Sequence, residues 1–288
     1  MIYCYFFKII ILKEYVMKLL MGLLILFTFI FSVKGHAERC APDMPSLLNF
    51  ACKKGWALPL GFEVEHGGKA DASKNYETAV EPVAMLHLST KSTQFFIEGV
   101  ENGIRHFASD DFLFSLAARY EHGRKESDDP SFLKGLGNIK DEWMGVIEAR
   151  YSLIGDYDVW VGGRSMVGDK DIGQLHIAVV GLGVPRMSKK VDFELLLWST
   201  WASSAFLNRD FGVTVSQSQS SSYDQYSAKS GHRAIGAGLF TRIDFTERWK
   251  AVSEINYESY NSRLNKSPII KKGINSEYEA NVSIVYVL

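Results

Sequence analysis

The chain ends on Ala280-Asn281-Val282-Ser283-Ile284-Val285-Tyr286-Val287-Leu288. In an extended backbone, successive side chains point to opposite faces. Ala280, Val282, Ile284, Tyr286 and Leu288 therefore share an apolar face, and Asn281 and Ser283 lie on the other. A final strand with one apolar and one polar face fits the closing strand of an outer-membrane β-barrel, whose apolar side meets lipid. A soluble β-sandwich is the competing architecture, because it also alternates and places aromatic residues in its core.

The same period recurs upstream. Trp56, Leu58, Leu60, Phe62 and Val64 alternate with Ala57, Pro59, Gly61, Glu63 and Glu65. Phe112, Phe114, Leu116, Ala118 and Tyr120 oppose Asp111, Ser115, Arg119 and Glu121. Val191, Phe193, Leu195, Leu197 and Trp201 oppose Asp192, Glu194 and Thr200, and Trp249, Ala251, Ile255 and Tyr257 oppose Lys250, Glu254, Asn256 and Glu258. No 3.6-residue period is sustained after Gly55. The pattern predicts an all-β fold, a transmembrane antiparallel β-barrel over residues 55–288. Its expected strands are 55–66, 77–89, 93–106, 111–122, 141–153, 156–168, 173–184, 190–202, 210–218, 227–244, 247–262 and 276–288. Single-chain bacterial barrels have an even number of strands, which favours twelve and then ten. The ambiguity lies in 93–108, readable as one bulged strand or two short ones, and in 210–218, the weakest segment. Trp56, Tyr120, Trp143, Tyr157, Trp201, Trp249, Tyr257 and Tyr286 are expected in two interfacial girdles.

The front of the chain has a different character. Lys18 precedes an almost unbroken apolar run from Leu19 to Val33, followed by Gly35-His36-Ala37. This is the layout of a secretory signal peptide over residues 1–37, with Met17 as the expected start. The competing reading, a retained helix over roughly residues 9–33, would bury Lys13, Glu14 and Lys18 in lipid. The leader holds four lysines and one glutamate, so the remaining chain carries a net charge of about −4. That balance gives no electrostatic footprint for nucleic acid. Residues 38–54 are expected to form a periplasmic extension. Cys40 and Cys52 lie there, and an oxidising compartment favours a disulfide between them; two free thiols are the alternative. No zinc spacing is present, and no metal site is expected.

Charged residues on the non-lipid faces would point into the lumen: Glu63, Arg119, Glu121, Glu148, Arg150, Arg164, Asp192, Glu194, Arg242, Asp244, Glu254 and Glu258. Such groups must be paired or hydrated. A packed interior of ion pairs and water is favoured over a narrow, cation-preferring pore, since ten to twelve strands leave little free lumen. Residues 123–141 do not alternate, and Leu133, Leu136 and Ile139 suggest a short helical turn in a lid or plug. Residues 217–226 read as a solvated loop with no packed core of its own.

Lipid-cleaving barrels use a serine activated by histidine at the lipid-facing rim. The histidines beyond the leader are His66, His87, His106, His122, His176 and His232, and no Gly-x-Ser-x-Gly elbow accompanies them. Walker, dinucleotide and EF-hand motifs are also missing from the sequence. No catalytic residue and no cofactor is therefore expected, and the protein is not expected to be an enzyme.

Several short motifs occur in a familiar order. Leu133-Lys134-Gly135-Leu136-Gly137-Asn138-Ile139 resembles a Leu-Gly-Leu-Gly segment of the MipA/OmpV family of outer-membrane proteins. Phe211-Gly212-Val213-Thr214, then Ser221 to Tyr226 and Ala228 to Gly231, is similar to that family's Phe-Gly-Val-Ser stretch and the element after it. Ser267-Pro268-Ile269 sits where the family has Ser-Pro-Ile. Leu288 departs from the family's usual terminal aromatic, and the Cys40–Cys52 extension is not a family feature. The resemblance implies an integral protein of the cell outer membrane, in contact with its lipid. It further implies a structural or scaffolding role linking a murein hydrolase, a lytic transglycosylase, to a murein synthase. A small-solute channel is the alternative, and a lipid-processing barrel enzyme a third reading.

Overall fold

The computed structural model describes residues 55–288, apart from 91, 110, 155–158 and 189–190. The expected signal peptide, the periplasmic extension with Cys40 and Cys52, and Tyr157 lie outside the described residues.

The strands are β1 (Gly55–Ala57), β2 (Pro59–Gly68), β3 (Tyr76–Ser89), β4 (Thr93–Glu98), β5 (Glu101–Phe107), β6 (Phe112–Glu121), β7 (Glu142–Ile154), β8 (Val159–Val167), β9 (Gln174–Ser188), β10 (Val191–Ala202), β11 (Gly231–Asp244), β12 (Trp249–Tyr260) and β13 (Ser276–Val287). Each pairs antiparallel with its neighbour. The sheet closes where β13 meets β2, from Ala280 opposite His66 to Val287 opposite Pro59. β1 and β2 both pair with β3 and are one strand interrupted at Leu58, so the barrel has twelve staves.

Two strand expectations are corrected, and they offset each other in the count. Residues 93–106 form two strands joined by the two-residue turn Gly99-Val100. Gly99 has φ of 56°, the positive value that a tight hairpin turn needs at its first central residue. Residues 210–218 are not a strand. They fall in α1 (Ser204–Phe211) and α2 (Val215–Ser220). Ser203 caps α1 by accepting from the Phe206 amide, and Thr214 with Gln217 forms a complete capping box for α2. Local hydrogen bonding at two helix starts outweighs a weak alternation in so short a segment.

Outward positions carry a band of exposed apolar side chains, among them Phe62, Leu116, Ile147, Leu197, Ile255 and Val282. Aromatic residues border it at both ends. Trp249 and Tyr286 meet edge to face at the end that holds the chain terminus, 5.1 Å between centroids. Tyr76 and Tyr278 stack at 4.5 Å at the other end, where Trp143 and Tyr120 also meet at 5.2 Å. On β12, Trp249 and Tyr257 are separated by about 26 Å of strand at ~3.3 Å per residue. A tilt of about 40° reduces that to roughly 20 Å of height, close to a bacterial hydrocarbon band.

The two ends differ. The turns at the terminus end are short, such as 245–248 between β11 and β12. The opposite end holds the long connections 122–141, 203–230 and 261–275, which include α1, α2, a 3₁₀ turn (Leu264–Lys266) and α3 (Pro268–Lys272).

Candidate functional site

The long connections fold into a cap over the barrel mouth. Phe132, Leu133 and Leu136 come from the first, Phe206, Leu207, Phe211, Val213 and Tyr223 from the second, and Leu264, Ile269 and Ile270 from the third. They pack on lumen-facing residues of the staves, including Met144, Met166, Leu175, Ala202, Ala234 and Tyr260. Those residues come from β7 through β12, one half of the circumference, and Ala72 in the β2–β3 connection joins the same core from the opposite half, so the apolar core crosses the mouth. Residues 123–141 form a series of turns and an Arg124–Ile139 bridge; one of these turns is a single helical turn, in which the Leu133 amide donates to Asp129 O at 2.8 Å.

The expectation that 217–226 lacks packing is corrected. Tyr223 is buried and its hydroxyl donates to the Phe132 carbonyl at 2.5 Å. Gln217 Nε2 donates to Leu136 O at 2.5 Å and Ser220 Oγ to Gly135 O at 2.9 Å. The polar side chains of this stretch are spent on the carbonyls of the neighbouring connection, which a count of polar residues does not show.

Two carboxylates in the cap are shifted in opposite directions. Asp129 accepts from Ser73 Oγ at 2.5 Å, from Asn75 Nδ2 at 2.8 and 3.0 Å, and from Ser131 Oγ at 2.8 Å. Burial pushes its carboxyl up, but these donors and the Phe132 amide together hold it below the usual carboxylate range. Asp210, in the last turn of α1, is pushed up to about 7 by burial and by Asp71, against the opposing pull of Arg209, Arg233 and Arg124.

Below the cap, the lumen wall divides in two. On β4–β8 the charges interlock. Arg105 forks onto Glu98, which also receives His87 Nε2 at 2.7 Å. Arg164 bridges Glu101 and Glu148, Arg150 pairs with Glu148, and Arg119 reaches Glu101 at 3.8 Å and Glu121 at 3.3 Å. The Arg150 guanidinium lies 4.7 Å from the Trp160 ring centroid, and Trp160 Nε1 donates to Glu194. Further round, Arg242 pairs with Asp192 and lies 3.3 Å from Asp244, and Arg233 pairs with Glu258. The remaining wall, on β2, β3, β12 and β13, carries Glu63, Glu65, Glu81, Glu254 and Glu279. Among the described residues none of these five has a Lys or Arg within ion-pair distance; Glu63 receives Ser283 Oγ and Glu254 receives Asn256 Nδ2 at 2.8 Å. Unpaired carboxylates require water, so this side of the lumen is hydrated.

Two tryptophans project into the lumen where the facing backbone is glycine. A Cβ on Gly181 would sit 2.0 Å from Trp160 Nε1, and one on Gly236 would sit 2.1 Å from Trp198 Cε2. The Gly181-Leu182-Gly183 cluster therefore makes room for a ring.

The wall-facing histidines are mostly satisfied across the ladder. His66 Nδ1 meets Thr78 Oγ1 at 2.9 Å and stacks on Tyr76, and His176 Nδ1 meets Ser165 Oγ at 3.0 Å. His122 packs edge-on against Tyr120 while its carbonyl accepts from Arg209 at 2.9 Å. No group of three or more metal-ligating side chains suited to an ion occurs among the described residues.

Among solved structures, the chain is similar to the translocator domain of autotransporter NalP from Neisseria meningitidis at 12% identity and TM-score 0.40, covering 81% of this chain and 88% of that one. It is similar to the NanC porin at 12% identity and TM-score 0.39, covering 78% and 98%. It is also similar to the Pseudomonas putida toluene transporter TodX at 11% identity and TM-score 0.38, covering 86% and 92%. No curated protein matches the sequence. The family model described as MltA-interacting protein MipA matches residues 60–288, and the chain belongs to that family.

Proposed function

We propose that this protein is an integral outer-membrane scaffold that docks murein-remodelling enzymes at the terminus end of its barrel. The observation that carries the reading is the capped mouth: one apolar core built from three connections crosses the loop end. A barrel stopped in this way is poorly suited to conduction and well suited to rigid anchoring. The family description, which names an interaction with MltA, supports the same reading. Bacterial barrels place short turns on the periplasmic side and long loops outside. That rule sets the terminus end, with residues 38–54 and the short turns, toward the murein. A signal peptide over 1–37 and a Cys40–Cys52 disulfide belong to the same proposal.

The test is affinity capture of the full-length protein from detergent-solubilised envelopes, alongside an unrelated barrel as control. Enrichment of a lytic transglycosylase and a murein synthase, lost when residues 38–54 are replaced by a neutral linker, is the expected result. Equal recovery on the control barrel overturns the proposal.

A further inference from the structure

Three wall-facing histidines share one arrangement. His66, His106 and His176 each place Nδ1 on the hydroxyl of the residue directly opposite in the ladder: Thr78 at 2.9 Å, Thr93 at 3.0 Å and Ser165 at 3.0 Å. Among the described residues, none of the three has a hydrogen-bond partner on its second ring nitrogen. Such pairs satisfy a polar ring at a membrane surface and need no other explanation.

His232 is built differently. Its Nε2 lies 2.9 Å from Ser199 Oγ and its Nδ1 lies 2.7 Å from Asn261 Nδ2. Ser199 is not its ladder partner. The register shifts between Thr200 and Trp201, which sets Trp201 opposite His232 and Ile235 opposite Ser199. This β-bulge re-aims the imidazole along the outer face, the kind of local re-aiming that bulges provide. Trp201 holds the ring edge-on with centroids 5.6 Å apart. Asn261 is the first residue after β12. Its amide N–H donates to Arg233 O at 2.7 Å, and its Oδ1 accepts from the Arg263 amide at 2.9 Å. Both ring nitrogens are thus engaged, one by a hydroxyl and one by a carboxamide held by backbone bonds.

The surroundings are apolar and face outward. Leu197 and Trp201 flank Ser199 on its strand, Ile235 lies across from it, and all three are among the exposed large apolar residues. Trp201 belongs to the aromatic border at the loop end, so Ser199 lies about 7 Å of strand inside that border. At this depth a bilayer presents the ester carbonyls that join acyl chains to their headgroups.

We propose that Ser199, His232 and Asn261 form an acyl-transfer site on the lipid-facing wall, with the acyl ester of a membrane lipid as substrate. The proposal rests on the membrane-barrel reading, is independent of scaffolding, and departs from the expectation that the protein is not an enzyme. Ser199 Oγ attacks the ester carbonyl carbon while its proton passes to His232 Nε2. The tetrahedral intermediate collapses with cleavage of the bond to the headgroup-side oxygen, which leaves with that proton. Water then attacks the acyl-serine, its proton returns through His232 to Ser199, and the fatty acid departs. For His232 to act as base, Nδ1 must carry the proton. Rotating the Asn261 carboxamide by half a turn presents Oδ1 to Nδ1–H, at the expense of the exposed hydrogen bond from the Arg263 amide. Asn261 is therefore a positioning residue, and Ser199 and His232 are the catalytic ones.

The experiment uses the full chain, purified in detergent, with folding verified by heat-modified gel mobility. A fluorophosphonate probe is applied, and release of labelled fatty acid is followed in two arms, one with phosphatidylethanolamine in mixed micelles and one with lipopolysaccharide. The expected result is a phosphonylated Ser199 peptide by mass spectrometry and fatty-acid release from one arm, which identifies the lipid. Ser199→Ala abolishes both signals. His232→Ala lowers release by about 10²–10⁴-fold, the usual contribution of a general base. Asn261→Asp retains activity and moves its pH profile, whereas Asn261→Ala lowers it. Ser165→Ala and His176→Ala leave it unchanged. Folded wild-type protein that is unlabelled at Ser199 and releases no more fatty acid than Ser199→Ala overturns the proposal. A chain that never acquires the mobility of a folded barrel would instead overturn the membrane reading on which it rests.

Discussion

The two ends of the barrel solve the same problem in opposite ways. At the terminus end the staves are joined by short turns such as 245–248, where the Trp249 amide donates to Thr246 Oγ1 at 2.9 Å and little else is buried. At the loop end, three long connections bury a shared apolar core and fix it with side-chain-to-carbonyl bonds. One end is held by strand pairing and a small lumen cluster of Phe240, Val252 and Val285. The other is a small globular structure seated on a membrane cylinder. Stability is then expected to be local: damage to the cap loosens the cap, and damage to a short turn does almost nothing.

The largest effect is expected at Phe211. It is fully buried, meets Tyr260 at 5.0 Å between centroids, and its carbonyl accepts from Ser267 Oγ at 2.7 Å. Phe211→Ala should cost the cap about 3–5 kcal/mol. Amide exchange across 203–230 should rise steeply while exchange in β10–β13 stays slow, and bilayer conductance should exceed that of wild type. A variant that loses barrel and cap together would show that the two ends are one cooperative unit.

A smaller effect is expected at Asp129, which gathers donors from Ser73, Asn75 and Ser131. Asp129→Asn replaces one acceptor oxygen with a donor and should cost about 1–3 kcal/mol. Faster proteolysis within 123–141 is the readout. The destabilisation should be smaller in strong acid, because a carboxyl held below its ordinary range contributes above that range and loses its contribution as pH falls through the lowered value.

Asp210 has the opposite sign. Its carboxyl is pushed up to about 7, so between the ordinary carboxylate value of about 4 and that value the folded cap binds more protons than the unfolded one. The contribution is fully present below about pH 4 and is lost as pH rises to about 7. Exchange in 203–230, corrected for its intrinsic rate, should be slower at pH 5 than at pH 8. Asp210→Asn should flatten that difference. The smallest effect is expected at the terminus end, where Glu247→Gln in the 245–248 turn should change stability by less than about 0.5 kcal/mol.

The staves were legible in the sequence because alternation at period 2 is a repeated signal, and the closing strand at Ala280–Leu288 anchors it. The cap was not legible. Its apolar residues, such as Leu133, Leu207 and Ile269, come from three segments far apart in the chain, and none of those segments has a sustained period. One local signal was available: Thr214-Val215-Ser216-Gln217 is a capping box and marks α2. The wall site was hidden for another reason. Ser199, His232 and Asn261 converge only through the bulge at Thr200/Trp201 and the link after β12, and sequence spacing carries no trace of a register shift. Charges on the inward faces were readable one by one, but the division into an interlocked wall and an acidic wall depends on which staves are neighbours.

A membrane-spanning barrel sets hydrocarbon against the outward face of every stave. Spin labels placed one at a time at residues 251–258 of β12, in reconstituted bilayers, test it most directly. Labels at 251, 253, 255 and 257 should be open to dissolved oxygen and closed to a water-soluble nickel reagent, and labels at 252, 254, 256 and 258 should show no such preference. Uniform access to the nickel reagent, or no alternation along the strand, would contradict it.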